Sequence, residues 1–225
     1  MFWQVVAIDP SLSVGAMIIA LAVAIIFHEV AHGVVALWLG DPTAKYAGRL
    51  TLNPLKHVDK WGTIVVPLML LTFARIAGGG FIFGWAKPVP VNYDNLKNGK
   101  YGPMMVALAG PATNLIILII TGLLARISPL GTSLPYLFGV VAVINGWLMM
   151  FNLLPIPPLD GSKVLYVLLD KRPDVIQFLE RNGMYILLFF IIFGGRIFQL
   201  ISIPALLLVN ATAGPEVLQM VLQNM

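Results

Sequence analysis

Five apolar runs divide this 225-residue sequence, and each is about as long as a bilayer-crossing helix. They lie at about Leu12–Leu39, Trp61–Ala77, Tyr101–Ile127, Leu134–Leu154 and Met184–Val209. About 20 apolar residues span the hydrocarbon core as a helix. Helices satisfy their own backbone hydrogen bonds there, where no water can. The composition agrees: 59% of residues are hydrophobic and 11% charged, against about 25% charged in soluble domains. So few charges cannot cover a soluble globule. The expected fold is an all-α polytopic membrane protein, one embedded domain over 1–225. Its core would be about 12–171, followed by a C-terminal helix of about 184–209. No polar stretch is long enough for a separate soluble domain. The N-terminal "MFWQVVAIDPSLSVG" has no basic n-region and no A-x-A site, so the first run reads as a retained helix.

The lysines and arginines set an orientation. They cluster in three connections: Lys45, Arg49, Lys56 and Lys60; then Lys87, Lys97 and Lys100; then Lys163, Lys171, Arg172 and Arg181. The positive-inside rule makes all three cytoplasmic and the N-terminus external. Basic residues confined to connections suit anionic lipid headgroups, not nucleic acid. The second run then begins and ends on one side. It is expected to be a re-entrant hairpin turning near "ARIAGGG", where glycines allow the turn. A plain fifth span is the alternative. No internal repeat is visible.

The first run also holds His28-Glu29-Val30-Ala31-His32, two of the chain's three histidines with an acid between. Residues four apart share a helix face, so both imidazoles can point at one ion. Glu29, about 100° round the axis, is badly placed as a third ligand but can reach a metal-bound water. H-E-x-x-H is the metallohydrolase pattern. An acid near the bilayer centre costs about 2.5–3.5 kcal/mol on insertion scales. A polar cluster sealing two helices is the bland alternative. With no cysteine in the chain, a metal must be held by histidine and carboxylate.

Two histidines leave a site unfinished. His57 sits in a polar connection, where a solvated loop role is expected. Asp160 follows "FNLLPIPP", whose prolines bar a regular helix and leave the chain irregular at the membrane edge. Taken alone, Asp160 reads equally as a helix N-cap or as the missing ligand; beside the unfinished site the ligand reading wins. Asn145 and Asn152, seven apart, share a face of the fourth run. For Asn145 a helix–helix hydrogen bond is the expected role. Gly110 and Pro111 permit close helix approach and a kink. Pro88 and Pro90 in "GWAKPVPVN" favour an extended chain.

"HEVAH", "ALAGPATN" and "FNLLPIPPLDG", in this order, resemble the site-2 protease family of intramembrane zinc metalloproteases. "NPLKHVD" and "GWAKPVPVN" resemble its compact prokaryotic branch, without PDZ or CBS domain. The resemblance covers about Ala20–Lys171. It implies one zinc ion per chain on His28, His32 and Asp160, with Glu29 as general base. It implies that Asn152 positions substrate or steadies an oxyanion, and that Asn114 lies on the middle core helix beside the site, a candidate substrate contact. It places Lys87, Pro88, Val89 and Pro90 near the active-site mouth, where an extended edge could pair with an unwound substrate. Where many relatives have proline after H-x-D, this chain has Lys60. The implied partners are a transmembrane-helix substrate and the lipid bilayer. The implied location is the plasma membrane of a prokaryote, with the site toward the cytoplasm. A zinc-binding transporter and a catalytically silent helix binder are the rival readings.

Overall fold

The computed structural model describes residues 9–66, 68–69, 72 and 84–225. Among them there is no β-strand. The long helices are α1 (Pro10–Trp38), α3 (Tyr101–Ile127), α4 (Leu134–Asn152), α6 (Pro173–Phe193) and α7 (Gly195–Ala213). Shorter ones are α2 (Thr43–Tyr46), α5 (Gly161–Leu168) and α8 (Pro215–Asn224). The start of α1 has a local cause: the Asp9 carboxylate accepts from Ser11 N at 2.7 Å, and Pro10 occupies the first turn.

α1, α3 and α4 pack into one core. Ala16, Ala20 and Ala24 recur every fourth residue of α1 and are buried against Leu118, Tyr136 and Val143. Between apolar helices in lipid, small residues bring backbones close enough for dispersion to act. Gly146 of α4 does the same: a Cβ there would lie 2.9 Å from Leu118 and 3.0 Å from Ala205 of α7. The outward faces carry Ile18, Ile19, Ile116 and Ile120, all exposed and suited to acyl chains.

Among the described residues, four helices are long and apolar enough to cross a membrane: α1, α3, α4 and α6. The single C-terminal helix expected at about 184–209 is not formed. The chain breaks at Gly194, where a Cβ would lie 2.2 Å from Phe190 O. Packing then separates the two halves. Ala205 abuts Gly146, Thr212 abuts Gly122, and Arg126 Nη1 donates to Ala211 O at 3.1 Å, so α7 runs parallel to α3. Gly195 therefore lies roughly 15 Å before Ala205, toward the Asn152 end of α4. The middle of α6, Gly183, abuts Pro157 at that same end. The fourth long helix packed along the bundle is α7, while α6 presents Tyr185, Phe189 and Phe193 outward.

The hairpin expected between 61 and 85 turns outside the described residues. Its two ends, however, are joined. Trp85 N donates to Gly62 O at 3.0 Å, and Thr63 Oγ1 to Trp85 O at 2.9 Å. A Cβ on Gly62 would overlap the Trp85 indole at 2.3 Å. The two described ends of this segment therefore lie side by side.

Candidate metal centre

α1 presents His28 and His32 on one face, their ring centroids 4.6 Å apart and perpendicular. Space for both rings comes from α3. A Cβ on Gly110 would lie 2.5 Å from His28 Cε1 and 2.6 Å from His32 Cε1. Asp160 arrives from the loop between α4 and α5. It occupies the residue position that caps α5 but makes no capping hydrogen bond. Its side chain turns to the histidines instead: Oδ2 lies 3.1 Å from His28 Nε2 and 3.4 Å from His32 Nε2. The adjacent Gly161 allows the loop to fold this tightly, since a Cβ there would sit 2.2 Å from Leu153 O.

The protons on these rings follow from their other partners. His32 Nδ1 faces Val106 O at 2.8 Å. A carbonyl only accepts, so Nδ1 carries a hydrogen, and in the neutral ring Nε2 is bare. For His28 the same result comes through two asparagines. Asn145 Nδ2 donates to Val141 O at 2.8 Å, so its Oδ1 accepts from Asn114 Nδ2, also at 2.8 Å. Asn114 Nδ2 also donates to Ala24 O at 3.1 Å, and its Oδ1 faces His28 Nδ1 at 2.6 Å. His28 Nδ1 therefore donates, and its Nε2 is bare as well. In the neutral rings, two lone pairs then converge on a buried carboxylate oxygen that has no hydrogen-bond partner among the described residues. Three acceptors in one small space repel one another unless a cation lies between them. His28, His32 and Asp160 offer ligand atoms within 4.8 Å of one another, a donor set that suits zinc. The second nitrogens, held from behind, are what orient such ligands.

A cavity of about 370 Å³ opens beside the three side chains. Glu29, Asn152, Pro88 and Val89 line it, with Tyr93 and Lys163. Glu29 is not part of the three-residue cluster. Its Oε2 accepts from Val89 N at 2.7 Å. The stretch from Lys87 to Asn92 is extended and held by few bonds. Lys87 N donates to His57 O at 2.9 Å, and Arg49 Nη2 to Lys87 O at 2.6 Å. Asn92 N donates to Asp41 Oδ2 at 2.8 Å. Asp41 is fully buried, which alone would raise its pKa. The hydrogen bonds from Thr43, Asn95 and Asn92 outweigh burial and hold it below the usual carboxylate range. Asn152 donates to Leu148 O at 3.0 Å from the cavity wall.

Several sequence expectations change here. Asn114, expected as a substrate contact, is fully buried behind His28 and does not line the cavity. Of the extended stretch, Pro88 and Val89 reach the cavity, while Lys87 and Pro90 do not line it. His57 is buried, not solvated: Nε2 pairs with Thr51 O at 2.8 Å, away from the metal cluster. Asn145 makes the interhelical bond expected of it. Tyr93 and Lys163 were not singled out, because nothing in their local sequence marks them as cavity residues.

The profile of Peptidase family M50 matches residues 127–194, which include the Asp160 loop. "Putative zinc metalloprotease YwhC" of Bacillus subtilis is 39% identical over 158 residues, 66% of this chain and 67% of that protein. The chain belongs to peptidase family M50. Among its relatives, "Putative zinc metalloprotease MJ0611" of Methanocaldococcus jannaschii is 35% identical over 152 residues, 66% of this chain and 68% of that protein. "Putative zinc metalloprotease Rip2" of Mycolicibacterium smegmatis is 30% identical over 164 residues, covering 70% of this chain and 60% of that protein. No solved structure matches the chain. This M50 peptidase is accordingly an intramembrane zinc metalloprotease of the site-2 type, and the transporter and silent-binder readings are not favoured.

Proposed function

We propose that His28, His32 and Asp160 hold one zinc ion, and that Glu29 is the general base for cutting a transmembrane helix of another protein. The observation that carries this reading is the convergence of two imidazole Nε2 atoms on Asp160 Oδ2, which has no hydrogen-bond partner among the described residues. Bound zinc supplies a Lewis acid that polarises water and the scissile carbonyl. Glu29 takes the water proton as the oxygen adds to the carbonyl carbon. It delivers that proton to the nitrogen as the C–N bond breaks. Val89 N–H steadies the carboxylate through Oε2 and leaves Oε1 without a hydrogen-bond partner among the described residues. Asn152 is the polar group of the wall nearest this role for the developing oxyanion.

A helical substrate hides its scissile bond in its own hydrogen bonds, so it must unwind first. The extended stretch suits an unwound strand. Pro88 and Pro90 lack donors, the Val89 donor is taken by Glu29, and the carbonyls of Pro88, Val89 and Pro90 have no partner among the described residues. Main-chain acceptors in a row favour strand addition. The charge bias of the connections supports a site toward the cytoplasm of a prokaryotic plasma membrane, with the N-terminus outside.

The test is zinc content per purified chain for the unaltered protein, Glu29→Gln and Asp160→Ala. About one zinc in the first two, with loss in Asp160→Ala, is expected. Zinc that survives Asp160→Ala removes the third ligand from the scheme.

A further inference from the structure

The connection after α1 is polar in sequence, yet it does not leave the membrane end of that helix. It folds back along it. A Cβ on Gly33 would lie 2.5 Å from Leu50 Cδ2, 3.1 Å from Ala44 Cβ and 3.0 Å from Val89 Cγ1. Gly33 is five residues before the end of α1, so roughly 7–8 Å inside it. The connection therefore sits beside the last turn and a half of a spanning helix. Much of its polar interior bonds within its own chain, while Arg49 Nε and His57 Nδ1 have no hydrogen-bond partner among the described residues. Asp41, Arg49 and His57 are all buried and bond to neighbouring backbone. What it turns outward is apolar: Tyr46 is 82% exposed, Leu55 79%, Trp61 62% and Leu52 54%. Interleaved with these are Lys45, Lys56 and Lys60, all exposed. None of the three pairs with a carboxylate among the described residues.

We propose that residues 45–61 are an interfacial foot, seated in the headgroup layer of the membrane that the helices cross. Tyr46, Leu52, Leu55 and Trp61 face the acyl boundary, and Lys45, Lys56 and Lys60 face anionic phosphodiester headgroups. Aromatic and lysine side chains favour that layer because each has an apolar body and a polar tip. The alternation of exposed apolar groups with unpaired cations matches anionic lipid better than a protein partner, which would leave the lysines uncompensated. The foot also bears on the site. Arg49 and His57 hold both main-chain groups of Lys87, two residues from the Val89 amide that holds Glu29. The depth of the foot thus sets the depth of the extended stretch.

The chain has no cysteine, so single labels are clean. Spin labels at Leu52→Cys and Leu55→Cys would be read in the full chain in nanodiscs of phosphatidylcholine with phosphatidylglycerol. Ile18→Cys is the lipid reference, and free label in buffer is the water reference. Labels on the foot are expected to collide with oxygen about fivefold or more in excess of a water-soluble nickel complex, as at Ile18. Preferential collision with nickel would mean a solvated loop and overturn the proposal. Shielding from both reagents would mean a protein cover and overturn it equally. Each lysine near an anionic surface contributes about fivefold in partitioning. Replacing Lys45, Lys56 and Lys60 by glutamine should therefore make the labels shallower in phosphatidylglycerol discs. No change would overturn the lysine–headgroup contacts.

Discussion

The two walls of the cavity are built in opposite ways. One wall is helical: His28, His32 and the groups behind them belong to α1, α3 and α4, are mostly buried, and have each proton assigned by a carbonyl that can only accept. The other wall is an extended stretch, Lys87–Asn92, fixed by four hydrogen bonds to Arg49, His57, Glu29 and Asp41. Under the proposed function, the difference follows from what each wall would hold. An ion needs donor atoms within a few tenths of an ångström, which helix packing and a buried polar chain supply. A substrate strand needs main-chain acceptors that remain unpaired until it arrives, which a packed helix cannot offer. Glu29 joins the two: its backbone belongs to the rigid wall, and its carboxylate to the extended one.

Substitutions can break this contrast. The largest effects fall on the rigid wall and its junction. Asp160→Ala should abolish zinc binding, while Glu29→Gln keeps zinc and lowers hydrolysis about 10²–10⁴-fold, read as metal content beside turnover. Gly110→Ala comes next. Its Cβ would press on both imidazoles, so thermal unfolding should show a loss of about 1–3 kcal/mol together with weaker zinc binding. Gly131→Ala, with nothing within 4 Å, should do neither. Asn114→Leu should weaken zinc about 10–100-fold in chelator competition. Asn145→Leu should cost less, because Asn114 keeps its bond to Ala24 O.

Changes in the extended wall should leave zinc untouched. Replacing Pro88 and Pro90 by alanine should lower kcat/KM for a helical substrate several-fold, and less for an unstructured peptide that has no unwinding to complete. The smallest effect concerns Asp41. Its carboxyl is held below the ordinary value, so it stabilises the stretch above the unfolded pKa of about 3.9, and that stability is lost as pH falls through the lower folded pKa. Exchange of the Asn92 amide, which donates to Asp41, should quicken on acidification. In Asp41→Asn it should be fast already at neutral pH, with that acid dependence gone.

The membrane class and the pair His28–His32 were legible along the chain because they rest on local periodicity. Apolar length sets a span, and a spacing of four sets a helix face. Asp160 was balanced between cap and ligand, because its local sequence suits both. Only the position of α1 across the loop turns its side chain to the histidines. His57 looked like a solvated loop residue because burial of a connection depends on what folds over it. Asn114 was expected near substrate, and lies behind His28, because a helix motif does not say which side of a ring it will touch. The break at Gly194 was written in the sequence as a Gly-Gly pair within an apolar run, but hydropathy is the same on both sides of it. Which half traverses the bundle was decided by where Gly122 and Gly146 admit α7. Sequence alone determined what each segment prefers as its solvent and which side chains share a face. Tertiary structure alone decided which faces meet, because close contact depends on distances between segments far apart in the chain.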